Sequence, residues 1–272
     1  MDTSLVVFWR RFRRNKVALV GLVFLALEIT AALCAPILTQ WEPVKLNLEK
    51  VLLKPGEDGH LLGTDEYGMD VFSRLLHGAR ISLFVGFMVI GISLSVGLLM
   101  GSIAGYYGGW VDGLIMRFVD LLGAFPFFVL AISIMAVLGP GLFNVMVALG
   151  SVSWIGYARL TRAQFLSLKE KEFVESARAA GCSDAYIIIK HILPNAIAPV
   201  IVQATLGMGG AILSASGLSF LGLGAQPPTP EWGAMLSAGQ IYIRRSPHLS
   251  LYPGLAIMFT VLAFNFIGDG LR

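Results

Sequence analysis

Four histidines, two cysteines and seventeen acidic residues are the groups from which this chain would build catalytic or metal chemistry. Their spacing builds none. His60, His77, His191 and His248 are scattered, without the short intervals that bring ligands onto one metal. No H-E-x-x-H, no C-x-x-C and no strand-to-helix G-x-S-x-G occurs. No glycine is followed by lysine, so no P-loop cradles a phosphate. The chain is therefore expected to catalyse nothing alone, to hold no metal and to bind no cofactor itself.

What stands out instead is a small set of polar side chains in oily surroundings: Glu28, Arg117, Asp120, Asn144, Gln203 and Asn265. A charge at the centre of a bilayer costs about 3 kcal/mol on insertion scales, so such groups should face protein or a water-filled path. Arg117 and Asp120 are three residues apart on one helix face and are expected to neutralise each other. Glu28 has no partner that sequence names. Glu28 and Gln203 are candidates to line a solute path.

The elements that must position these groups are membrane helices. Mean hydropathy is +0.75, 56% of residues are hydrophobic and only 14% are charged, against about 25% charged in soluble domains. Six apolar runs are near the length that crosses a bilayer, about 20 residues: Val17–Leu38, Ile81–Ala104, Leu114–Leu138, Leu142–Ala158, Ala196–Leu223 and Tyr252–Ile267. The expected fold is an all-α integral membrane protein with six transmembrane helices and both termini in the cytoplasm. A basic cytoplasmic tail (1–16) precedes the first span (17–38), an outer loop covers 39–80, and a five-helix core follows (81–272).

Charge supports that orientation. Arg10, Arg11, Arg13, Arg14 and Lys16 crowd the N-terminus, and Arg117, Arg159, Arg162, Lys169, Lys171, Arg178, Lys190 and Arg272 fall on the same side; seven basic residues fall on the other. Basic residues favour the cytoplasmic face. The tail abuts an apolar run, which suits anionic lipid rather than nucleic acid. It also imitates a secretory signal, with "AALCAP" imitating a lipoprotein cleavage site. Bulky Leu33 before Cys34 and the length of the run favour an uncleaved signal anchor. Cys34 and Cys182 would lie on opposite sides of the membrane as free thiols. The fifth run, "ATLGMGGAILSASGLSFLGLG", is rich in small residues, which suits close helix packing or a moving interface equally.

One segment interrupts the oily pattern: "EFVESARAAGCSDAYIIIKHILPN", residues 172 to 195. Residues 169 to 180 read as a helix with a narrow apolar stripe, Phe173, Ala177 and Ala180. Gly181 suits a left-handed C-terminal cap. Ser183 and Asp184 suit the start of a second helix, which Pro194 should stop. Physics alone leaves open whether the stripe rests on lipid or docks on protein.

Glu175, Ala177, Gly181, Leu193 and Pro194 resemble the EAA loop of bacterial ABC importer permeases, here within 165–195. Ser176 stands where the family has its first alanine. His191 replaces the usual isoleucine, and "KHILPN" is similar to the peptide and nickel importer branch. "HLLGTDEYGMDVFSRLLHGARISL" (60–83), "GLSFLGLGAQPPTPEWGAML" (217–236) and "FNFIGDGLR" (264–272) are similar to the C-type membrane subunit of the dipeptide, oligopeptide and nickel permeases. That branch usually has arginine where this chain has Met69, and usually continues past the position of Arg272 with a short charged tail.

The resemblance implies a type I ABC importer permease fold in the bacterial cytoplasmic (inner) membrane. It implies a B-type permease partner, two ABC ATPase subunits that use ATP and Mg, and an extracytoplasmic solute-binding protein. Cargo would be di- or oligopeptides, or glutathione or nickel in the same family. Glu172, Glu175, Ala177, Arg178, Gly181, Asp184, His191 and Pro194 would form the ATPase-coupling loop. Gly63, Thr64, Asp65, Gly68, Asp70, Glu231 and Trp232 are candidates for docking the binding protein. Each also has a structural role open to it: turns at Gly63 and Gly68, Asp70 capping a short helix through Leu76, Trp232 anchoring at the membrane interface. "LSAGQ" (236–240) is similar to the ABC ATPase signature but falls in an outer loop with no phosphate cradle, a coincidence. An autonomous secondary transporter would want inverted repeats, and none is evident; a membrane enzyme lacks its motifs.

Overall fold

Asn15 caps the first helix, α1 (Lys16–Leu33), accepting from the backbone N–H groups of Val17 and Ala18 at 3.1 Å each. The computed structural model describes residues 15–272, so Arg10, Arg11, Arg13 and Arg14 of the expected basic tail lie outside the described residues. After a further turn at Ala35–Leu38 and a loop come α2 (Val71–Tyr107), α3 (Gly109–Gly123), α4 (Phe127–Leu138), α5 (Leu142–Leu168), α6 (Glu172–Ala179), α7 (Asp184–Phe220), α8 (Trp232–Gln240) and α9 (His248–Leu271). Among the described residues there is no strand, only an isolated bridge between Thr64 and Asp70.

Four of these helices, α1, α2, α7 and α9, are long and apolar enough to cross a membrane, and a fifth span results if α3 and α4 count as one. Six had been expected. The run Leu114–Leu138 is broken: α3 and α4 meet at 89°. Pro126 explains this, since it lacks an N–H and disfavours helical backbone in the residue before it. Pro126 itself is extended (φ −58°, ψ 130°). The other discrepancy is α5, 27 residues long, whose glycines, serines and Asn144 dilute its apolar character. It lies inside the bundle, packed on α2 more extensively than any other helix pair.

Two boundaries also shift. Asp70 does cap a helix, accepting from the Ser73 N–H at 2.7 Å, but that helix does not stop at Leu76. It continues for 37 residues to Tyr107, about 55 Å at helical rise, so the expected loop 39–80 loses its last ten residues to α2. Likewise Pro194 does not end the helix that starts at Asp184. Residues Ile187–Ile192 widen into a π-helical turn and Leu193–Phe220 carries on, with Pro194 in its first turn and Pro199 inside it. The first turn is where a missing N–H is best tolerated, and π turns re-register the hydrogen bonds of a helix.

Glycines let α2 and α5 approach. Gly97, Gly101 and Gly105 recur every four residues on one face of α2. A Cβ on Gly101 would lie 2.7 Å from Thr161 Cβ, and one on Gly105 2.9 Å from the Arg162 carbonyl oxygen. The small residues of α7 divide between uses. A Cβ on Gly209 would lie 3.2 Å from Val261 of α9 and one on Gly207 would strike Tyr157 of α5, whereas one on Gly210 would meet nothing within 4 Å. Packing accounts for the first two and an open face for the third.

Candidate functional site

α6 ends in a full Schellman cap. Gly181, at φ +80°, donates its N–H to the Arg178 carbonyl at 2.9 Å, and Cys182 donates to that of Ala177 at 3.1 Å, the paired bonds that satisfy a helix end. Ser183 Oγ then accepts from the Tyr186 N–H at 3.4 Å and opens α7. The buried face of α6 is not the expected stripe. Val174 and Ala177 are buried, while Phe173 and Ala180 are exposed. Val174 and Ala177 form one cluster with Tyr106 of α2, Phe165 of α5, and Ile187, Ile192 and Ala196 of α7. The segment thus seats on its own chain.

Polar contacts fasten that seat. Tyr106 Oη donates to Asp184 Oδ1 at 2.6 Å, and the Arg178 guanidinium lies 5.6 Å from the centre of the Tyr106 ring, within cation–π range. Glu172, Glu175 and Arg178 remain exposed along the outer face of α6, and Pro194 is exposed beyond the π turn. His191 is half-buried, edge-on to Tyr186 at 5.6 Å. Because α7 is continuous from Asp184 to Phe220, its start, just past the turn at Gly181, and the middle of the bundle are parts of one rod.

Half-way along that rod α7 lines a cavity of about 450 Å³, together with α2, α5 and the α3–α4 break. Gln203, exposed on α7, is on its wall; so are Ser153, Tyr157, Arg159 and Ser214. Asp120 is not paired with Arg117. Its carboxylate accepts from Arg159 Nη2 at 2.8 Å, because α5 passes across the end of α3. Glu28 is elsewhere: its Oε1 accepts from Thr260 Oγ1 at 2.6 Å, so the unnamed partner is a hydroxyl on α9.

The outer-loop candidates are mostly internal. Thr64, Asp65, Asp70, Glu231 and Trp232 are all less than a tenth exposed. Asp65 Oδ1 accepts from the N–H groups of Tyr67 and Met69 at 2.9 Å each, and its other oxygen faces Arg74 Nε at 3.3 Å. Burial pushes the Asp65 carboxyl above the usual carboxylate range, against the pull of Arg74 and of these N–H groups. Arg74 Nη1 in turn donates to the carbonyls of Pro43 at 2.9 Å and Pro228 at 3.1 Å. His60, stacked on Trp41 at 4.4 Å, meets Asp70 at 2.8 Å. Glycine is required at Gly68 (φ +72°) twice over, since a Cβ there would also strike Asn47.

Glu231 caps α8, accepting from Gly233 and Ala234 N–H at 3.0 Å each, with Ser82 Oγ of α2 at 3.2 Å. Trp232 is not an interfacial anchor. It is 1% exposed, and its Nε1–H donates to the Leu75 carbonyl at 3.0 Å. These side chains hold the loop 39–70, α2 and α8 together as one cap on the bundle. "LSAGQ" lies on α8 rather than in a loop.

Comparison with known proteins decides what this arrangement is. Residues 97–272 match the family "Binding-protein-dependent transport system inner membrane component", and residues 4–55 match the "N-terminal TM domain of oligopeptide transport permease C". The chain belongs to this permease family. It is a C-type permease of ABC importers of the dipeptide and oligopeptide family, a non-catalytic, multi-pass membrane subunit.

The permease is 48% identical over 264 residues to the dipeptide transport system permease protein DppC of Alkalihalophilus pseudofirmus, covering 97% of this chain and 86% of that one. It is 45% identical over 270 residues to the di/tripeptide permease DppC of Pseudomonas aeruginosa (97% and 89%). To the glutathione transport system permease protein GsiD of Escherichia coli O6:K15:H31 it is 46% identical over 265 residues (97% and 88%). Among solved structures, the inward-facing MetNI methionine ABC transporter shares the fold, with TM-score 0.57 and 19% identity over 72% of this chain and 93% of that one. Three features of the permease go beyond what the sequence reading anticipates. The Gly97, Gly101 and Gly105 ridge was legible as G-x-x-x-G; the Tyr106–Asp184 and Arg159–Asp120 contacts join elements far apart in the chain and had no local signal.

Proposed function

We propose that the permease forms one half of the solute path of an ATP-driven importer for di- or oligopeptides, with α7 as the rod that links motor to path. The carrying observation is the continuity of α7: it begins at Asp184, directly after the capped turn at Gly181, and runs into the cavity wall at Gln203, Gly207 and Gly210. A displacement of α6 applied from outside reaches that wall across the short turn 180–183, because Val174 and Ala177 of α6 are packed directly on Ile187 and Ile192 at the start of α7. In this reading α5 and the broken α3–α4 pair also cross, giving six spans with both termini inside; the α6–α7 turn then lies in the cytoplasm, where one of the two ATPase subunits docks through Glu172, Glu175, Arg178, Gly181, His191 and Pro194. A B-type permease completes the path, and a binding protein delivers solute to the outer cap.

Coupling in this sense needs an element with two arrangements that both motor and solute bias; the α6–α7 unit against the α2–α5 pair supplies it. The relatives named for glutathione transport favour that tripeptide as the second cargo to try. The test is site-directed cross-linking in intact membranes. Cysteine placed at exposed Glu175 should cross-link to the ATPase subunits, and to reagent only from the cytoplasmic side. Labelling from the outer face refutes the reading. A lone chain that moves peptide without ATP refutes it as well.

A further inference from the structure

We infer that the cavity beside α7 contains a recognition site for the free carboxylate of the passing solute, centred on the Arg159 guanidinium. This rests on the path reading above and adds the chemistry of what the path recognises. Arg159 is the only charged residue on the cavity wall among the described residues. Its side chain is 52% exposed, and among the described residues it makes one hydrogen bond, from Nη2 to Asp120 Oδ1 at 2.8 Å. A guanidinium carries five N–H donors in a planar fork that matches a carboxylate bidentately. Four of them are free to do so here.

The surroundings suit an exchangeable partner. Asp120 is 68% exposed, and a pair this open is screened and weak, so an incoming carboxylate takes its place at little loss. Gly123 keeps the approach clear, since a Cβ there would stand 3.1 Å from Nη2. Ser153, Gln203 and Ser214 on the same wall offer neutral hydrogen-bond partners for amide groups. The volume, about 450 Å³, is within the range of small-ligand sites. A guanidinium and a carboxylate both half-exposed do not face hydrocarbon, where a charge is costly; this wall faces water or protein.

The experiment uses the complete transporter in proteoliposomes, with its binding protein preloaded with dialanine or, in parallel, glutathione, so that upstream selection is constant. Single-turnover delivery is measured for wild type, Arg159→Gln, Arg159→Lys and Asp120→Asn, with the melting temperature of each purified complex. Loss of a charge-assisted pair should lower delivery by Arg159→Gln roughly tenfold. Arg159→Lys, which keeps the charge but loses the fork, should fall between wild type and Arg159→Gln; Asp120→Asn should stay within about threefold of wild type, and all should melt like wild type. Delivery by Arg159→Gln at the wild-type rate overturns the site. So does Asp120→Asn falling as far as Arg159→Gln, or a melting temperature that falls with delivery, since the pair would then be a structural brace. A wild-type complex that delivers neither peptide refutes the peptide-import reading itself, whatever the variants do.

Discussion

Substituting Gly181 separates backbone conformation from side-chain contact, because a Cβ at this position would meet nothing within 4 Å while φ is +80°. Only the backbone resists change there. Alanine pays the left-handed penalty of about 1–2 kcal/mol while retaining its N–H bond to Arg178. Asparagine visits this region more readily and should lose only a fraction of that. Proline cannot reach the angle and removes the 2.9 Å bond, a change of about 3 kcal/mol or more. Strain of 1–2 kcal/mol shifts a two-state balance about 5- to 30-fold.

Substrate-stimulated ATP hydrolysis and uptake by the reconstituted complex should therefore fall in the order wild type, Asn, Ala, Pro, with proline abolishing both. Membrane insertion, read from the amount of chain in the membrane, should be unchanged, since the turn lies outside the spans. The reasoning fails if the proline variant transports normally, or if asparagine does no better than alanine, which would show that the left-handed turn is not what matters.

Three further outcomes follow from the packing. Tyr106→Phe keeps the ring but loses the bond to Asp184, about 1 kcal/mol at a partly exposed site; it should reduce stimulated ATP hydrolysis more than it lowers melting temperature, and a normal rate would remove this bond from the coupling account. Gly101→Val forces a side chain against Thr161 and the α5 backbone, about 3 kcal/mol at a rigid contact; thermal unfolding in detergent should show it, and an unchanged melting temperature would deny the close α2–α5 approach. Trp232→Ala empties a fully buried site, about 3–5 kcal/mol, and should expose the 39–70 loop to protease; Trp232→Phe, which loses the bond to Leu75 and part of the buried ring, should fall between, and an intact loop in both would show that Trp232 does not hold the cap together.

Membership in an all-helical membrane class, the cap at Gly181 and the N-caps at Asp70 and Ser183 were set by the sequence, because each depends on the composition of a run or on residues within a few positions of one another. What lay beyond it was decided by contacts between distant elements. Pro194 looks like a stop until a π turn and the packing of Ile187 and Ile192 show the helix passing through it. Asp120 has Arg117 close in the chain, yet bonds Arg159, because which charges meet depends on where α5 crosses α3. The expected stripe of α6 shares only Ala177 with its buried face, Val174 taking the place of Phe173 and Ala180 left exposed, since the seat is formed by side chains of three other helices. Local sequence carries backbone preference; only the assembled bundle chooses partners.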